Sequence, residues 1–198
     1  MTQDRIEEHI ELIRGQIQKS LEDPATRFLA GALVAGNFDS AIDPRTGVAV
    51  PVVPYHGRFY RAAPSWETAS RVCMGRDKRC ELVAIWNFCV MNIRYTDDQH
   101  GEDTYQDLRM TLETGAGDCD DFTIAFAALL HAVGFEDIVA RVISLSGDAW
   151  EHIYPRVLVV DAPAQRVEWI PLDATETHPP RPLGWEYPRA AVARDFAI

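Results

Sequence analysis

The chain has 198 residues, 47% of them hydrophobic and 25% charged, which is the composition of an ordinary globular domain with a core rather than of a disordered or collagen-like chain. Thirty acidic against nineteen basic side chains give a net charge of -11, which argues against nucleic acid or anionic membrane as the main partner. No apolar run is long enough to span a bilayer, and no apolar segment follows a basic one near Met1, so a cytoplasmic protein without a secretory signal is expected.

Asp4 to Asp23 carries Ile6, Ile10, Ile13, Ile17 and Leu21 at spacings of four, three, four and four, with acids early and Lys19 late, which predicts an amphipathic helix that Pro24 ends. Phe28 to Val34 reads as a second short helix. Asp39 to His56, with Pro44, Gly47, Pro51 and Pro54, reads as loops and short strands. Residues 1–63 are therefore taken as an N-terminal helical and loop extension packed on a main domain of residues 64–198.

Ser65 is a candidate N-cap for a helical stretch reaching Ile93, as one long helix or two shorter ones. An extended Tyr95 and an acidic loop follow. Gly115-Ala116-Gly117 predicts a loop, and Phe122 to Val133 an apolar helix that Gly134 closes. Beyond it the period changes to two, with strands expected at Ile138 to Leu145, His152 to Val160 and Val167 to Leu172. Helices first and strands after make an α+β chain.

The four cysteines, Cys73, Cys80, Cys89 and Cys119, form no Cys-x-x-Cys pair. Reduced thiols are the default without an export signal. The first three read as packing residues, since gaps of seven and nine are not ligand spacings. The acids around Cys119 lack the alternating spacing of a calcium loop. No metal and no cofactor is expected. His9, His56 and His100 show no partner in the sequence.

The chemistry concentrates in Gly117-Asp118-Cys119-Asp120-Asp121. Asp118 suits an N-cap and Asp121 can complete a capping box, which places Cys119 in the first helical turn. Unpaired N–H groups and the helix dipole favour a thiolate there, below the free pKa of ~8.5, while the flanking carboxylates oppose it. His152 is the candidate base. If Asp161-Ala162-Pro163-Ala164 is a four-residue hairpin loop, paired positions sum to 325 and Asp173 faces His152, with Cβ atoms ~5 Å apart.

These segments resemble the transglutaminase-like superfamily over about Leu82 to Thr175. Ile93-Arg94-Tyr95, the Gly117 to Phe122 motif and Ala127 to Phe135 look like its nucleophile region. Glu151 to Val157 looks like its His strand, and Trp169 to Thr175 like its Asp strand. The resemblance implies a papain-like core, with the nucleophile helix packed on an antiparallel sheet. It implies Cys119 as nucleophile, His152 as general base and acid, and Asp173 as the orienting residue. Tyr95, Trp86 and Trp150 are the candidates for oxyanion or substrate contacts, with Tyr95 favoured. The implied activity is that of a thiol-dependent hydrolase or acyltransferase acting on a peptide or a glutamine carboxamide through a thioester. Protease, deamidase and transglutaminase-type reactions are all open. The long calcium-dependent crosslinking members carry flanking β-domains with no counterpart here, which implies hydrolysis, or acyl transfer without calcium. The compact chain is similar to stand-alone bacterial or phage members. The alternative is a catalytically inactive transglutaminase-like module that binds a protein partner.

Overall fold

A computed structural model describes residues 3–66, 73, 77–98, 104–161, 165–175 and 181–198. The helices are α1 (Gln3–Glu22), α2 (Pro24–Ala35), α3 (Lys78–Asn92), α4 (Leu108–Thr114) and α5 (Cys119–Ala132). The strands are β1 (Asp39–Ile42), β2 (Ala49–Tyr55), β3 (Arg58–Arg61), β4 (Arg94–Tyr95), β5 (Ala116–Gly117), β6 (Ile138–Ser144), β7 (His152–Asp161), β8 (Arg166–Pro171) and β9 (Val192–Ala197). The chain is α+β. No helix among the described residues is long and apolar enough to cross a membrane.

The core is organised around α5, which is buried without interruption from Asp120 to Leu130. A helix this apolar on every side has to be surrounded, and α1, α2, α3, α4 and β7 all pack on it. The isoleucine stripe of α1 supplies one wall, with Ile6, Ile10, Ile13 and Ile17 all buried in the cluster that holds Phe122 and Phe126. Burying one such side chain contributes about 1.5–3 kcal/mol. Residues 1–63 thus share one hydrophobic core with α5. Pro24 closes α1 and also opens α2, as an N1 proline behind Asp23, whose carboxylate accepts the Ala25 N–H at 2.9 Å. Ser65 begins the stretch whose helix lies outside the described residues; α3 itself starts behind Asp77, which caps Arg79 and Cys80.

β1, β2 and β3 form an antiparallel sheet, closed at His56-Gly57 by a two-residue turn with positive φ at both positions. The larger antiparallel sheet has the order β8-β7-β6-β9. Its last strand was not expected from the sequence; Asp195 in it takes both arms of the Arg141 guanidinium at 2.7 Å. Where a simple loop was expected, Gly115 caps α4 with φ 65° and Ala116–Gly117 pairs in parallel with Arg94–Tyr95.

The hairpin register differs from the expected one. Asp161 pairs with Arg166, so paired positions sum to 327. Asp173 is therefore not opposite His152, but two positions along the ladder. A shift of two keeps the same face, which is why the two side chains still meet. The cysteine reading is also corrected: Cys73 and Cys80 form a disulfide, with Cα atoms 5.3 Å apart, because the chain ahead of α3 returns to its first turn. Cys89 is buried in the core as a thiol.

Ile13→Ala should lower unfolding free energy by about 2–5 kcal/mol in urea denaturation. Leu12→Ala, on the exposed face of the same helix, should change it by less than about 0.5 kcal/mol.

Candidate active site

The turn before α5 is fixed by its acids. Asp118 accepts N–H groups from Asp120 and Asp121, at 2.9 and 3.1 Å, and Asp121 returns a bond to the Asp118 N–H, so the expected capping box forms. The Asp121 carboxylate also accepts the Gln106 backbone N–H at 2.7 Å and its amide at 2.6 Å. Gly117 is required beside it: a Cβ there would lie 2.5 Å from the Asp121 Cβ and 2.8 Å from Oδ2. The local sequence thus presents Cys119 at the helix start, partly exposed.

Cys119 and His152 line one cleft of about 180 Å³, together with Ile6, His9, Val142 and Trp150. Behind the imidazole, His152 Nε2 lies 3.2 Å from Asp173 Oδ2, close enough for charge pairing but off the axis of a hydrogen bond. Asp173 is buried, and its other oxygen accepts the Thr175 N–H and hydroxyl at 3.2 and 2.7 Å. Burial raises its carboxyl, but His152 and the Thr175 bonds outweigh that and hold it below the usual carboxylate range. Arg181 Nη1 approaches the same Oδ2 at 3.5 Å. The guanidinium lies over the rings of Trp185 and Tyr187, and Tyr187 meets the His152 ring edge-on at 5.3 Å. In the sequence only Trp185 of this segment stands out, as an aromatic suited to a groove or to the core; Arg181 and Tyr187 belong to no periodic pattern.

The electrostatics of the sulfur differ from the expectation of a lowered pKa. Burial, then Asp120 and Asp118, push the Cys119 thiol well above its ordinary value. The backbone N–H groups of Ile153 and Cys119 pull the other way and are outweighed. Ile153 lies past the end of the β8 ladder, where no strand competes for its N–H. Burial and the neighbouring charges, Asp120 foremost, likewise raise Asp118 to about 7. Burial raises Asp121 to about 6 against its Gln106 bonds.

Of the aromatic candidates, Trp150 borders the cleft. Tyr95 lies within electrostatic reach of Cys119, but its hydroxyl donates to Asp97 at 2.8 Å. Trp86 is away from the cleft, buried in the core and stacked on Phe126 at 5.5 Å. His9 and His56 do have partners, contrary to the sequence reading: His9 bonds Asp120 and Tyr105, and His56 bonds Asp23. His100 lies outside the described residues. Ligand atoms of Asp118, Cys119 and Asp120 come within 4.8 Å of one another. Asp118 is spent on the helix cap and Asp120 on His9, so the cluster is accounted for without a cation.

Residues 68–174 match the family model of the transglutaminase-like superfamily. The chain belongs to this superfamily. No curated protein and no solved structure matches it. The transglutaminase-like segment holds Cys119, His152 and Asp173, whereas α1 and residues 181–187, which wall the same site, lie outside it.

Asp118→Asn should keep the cap while removing its titration. With a folded pKa of about 7 against 3.8, the native state holds this proton more tightly than the unfolded chain, so the group's contribution to stability falls as pH rises from about 4 to about 7. The stability of Asp118→Asn relative to the parent should therefore grow between about pH 4.5 and 7.5 in urea titrations, and a constant difference contradicts the argument. Gly117→Ala should destabilise by about 1–3 kcal/mol through its clash with Asp121.

Proposed function

We propose that the protein is a thiol-dependent amide hydrolase or acyltransferase acting on a peptide bond or a glutamine carboxamide. The observation that carries this reading is that His152, paired with the buried Asp173, lines the same cleft as Cys119. With Nε2 directed to Asp173, the His152 Nδ1 is the nitrogen available as base. Because the thiol is not ionised at rest, proton transfer from Sγ to Nδ1 accompanies attack on the carbonyl carbon. The tetrahedral oxyanion forms beside the Cys119 N–H at the helix start. His152 then protonates the departing amine, leaving a thioester. Water, or a second amine, attacks that thioester with His152 again as base, and the thiol is regenerated. Asp173 keeps the ring oriented and stabilises the imidazolium, as a buried carboxylate does in such arrangements. The supporting partner is a protein or peptide; Ile6, Val142 and Trp150 offer the apolar contacts for its side chains.

Peptide-library turnover read by mass spectrometry tests this. Deamidation adds about one dalton, crosslinking removes about seventeen, and proteolysis splits the backbone. Cys119→Ala should abolish whichever product appears, and His152→Ala should lower kcat by about 10²–10⁴-fold. A Cys119→Ala protein that turns over like the parent would remove Cys119 as the nucleophile, and a parent that yields none of these products would leave the superfamily assignment intact and replace this reading with a protein-binding module.

A further inference from the structure

One wall of the cleft is built by a residue from outside the family-matched segment. His9, on α1, reaches over 111 positions in sequence to place Nε2 at 3.0 Å from Asp120 Oδ1. Its Nδ1 lies 2.5 Å from the Tyr105 hydroxyl, and the two rings meet edge-on. The side chains of His9 and Asp120 are 13% and 7% exposed, so water screens this pair weakly. Asp120 directly follows Cys119 and is the leading charge opposing its ionisation.

We propose that His9 is a positioning residue of this site, holding Asp120 toward α1 and, when protonated, offsetting the carboxylate charge that bears on the Cys119 sulfur. The inference rests on the reading of Cys119 as nucleophile. In the neutral ring, Nε2–H donates to Asp120 and Nδ1 accepts from Tyr105. Protonation keeps the first bond, turns it into an ion pair, and makes Nδ1–H the donor to the Tyr105 oxygen. The charged or titratable groups around the pair are Asp118 and Cys119 on α5, Tyr105 ahead of α4, and Glu151 and His152 at the start of β7; Tyr95 on β4 reaches the sulfur from the other side. Among the described residues, His9 bonds the Asp120 carboxylate at 3.0 Å and also faces the cleft. A cation bonded to Asp120 lowers the cost of a thiolate on the preceding residue, which links cleft chemistry to a helix the family match does not include.

The test is the rate of iodoacetamide alkylation at Cys119 in the full chain, followed on the Cys119 peptide between about pH 5 and 9 for the parent, His9→Gln, Asp120→Asn and the double variant. Gln keeps a donor for Asp120 and removes the titratable charge. His9→Gln is expected to slow alkylation about tenfold near pH 5.5 and to merge with the parent above about pH 8, where the imidazole is neutral. Asp120→Asn should speed alkylation across the range, and in that background His9→Gln should change the rate less than about twofold. A His9→Gln effect that is equal at every pH, or equal in both backgrounds, overturns the proposal. If His9→Gln does not fold by circular dichroism, Asp120→Asn still decides: a rate unchanged from the parent overturns it. Turnover is not the readout, so a failure here is distinct from an inactive Cys119, which the product assay reports.

Discussion

Asp121 has no exposed surface, yet its carboxylate accepts the Gln106 backbone N–H, the Gln106 amide and the Asp118 N–H. Burying a carboxylate costs several kcal/mol, and hydrogen bonds to charged groups return about 1.5–3 kcal/mol each. With three donors the position is tenable only if all are kept in place. That requirement joins the chain ahead of α4, the β5 turn and the first turn of α5 into one unit. Gly117 is part of the same constraint, since no side chain fits between β5 and the Asp121 Cβ. This arrangement sets where the Cys119 sulfur leaves the helix start.

The parts of this site that depend on neighbours in sequence were readable. Asp118, Cys119 and Asp121 lie within one turn, and capping chemistry alone places them. The α1 stripe was readable because four isoleucines repeat at helical spacing and all four are buried. What depends on a loop length is less legible: the β7–β8 register differs by two from the expected one, and only the even size of that shift leaves Asp173 on the face of His152. What depended on distant partners was not readable. His9 finds Asp120 across the whole core, β9 shows no alternation of burial, and a seven-residue spacing does not encode the Cys73–Cys80 bond. The direction of the Cys119 shift was misjudged because dipole and desolvation act oppositely, and the balance depends on how deeply the sulfur sits.

The superfamily segment and the residues outside it divide the work. Cys119, His152 and Asp173 all lie inside residues 68–174. Their charged surroundings come from both: Asp118 and Asp120 from inside it, and His9 on α1 and Arg181 from outside it, with Trp185 and Tyr187 under the Arg181 guanidinium. Arg181 also shares the Asp173 carboxylate with His152, so the charge available to the imidazole depends on a residue beyond β8. Two members with the same reacting groups and different flanks would thus differ in acidity before they differ in geometry.

The strand order gives this division a consequence in time. β9 closes the sheet beside β6, and Arg14 on α1 donates to the Ala197 carbonyl at 2.7 Å, tying two distant stretches of chain to each other. Contacts of such separation form late and slowly. A nascent polypeptide that has left the ribosome only through residue 175 already carries the sulfur, the imidazole and the carboxylate. It lacks the guanidinium and aromatic backing of that carboxylate and the strand that borders β6. Emergence of residues 181–198, and not of Cys119, His152 and Asp173, is then the step at which the His152–Asp173 pair gains its guanidinium and aromatic neighbours.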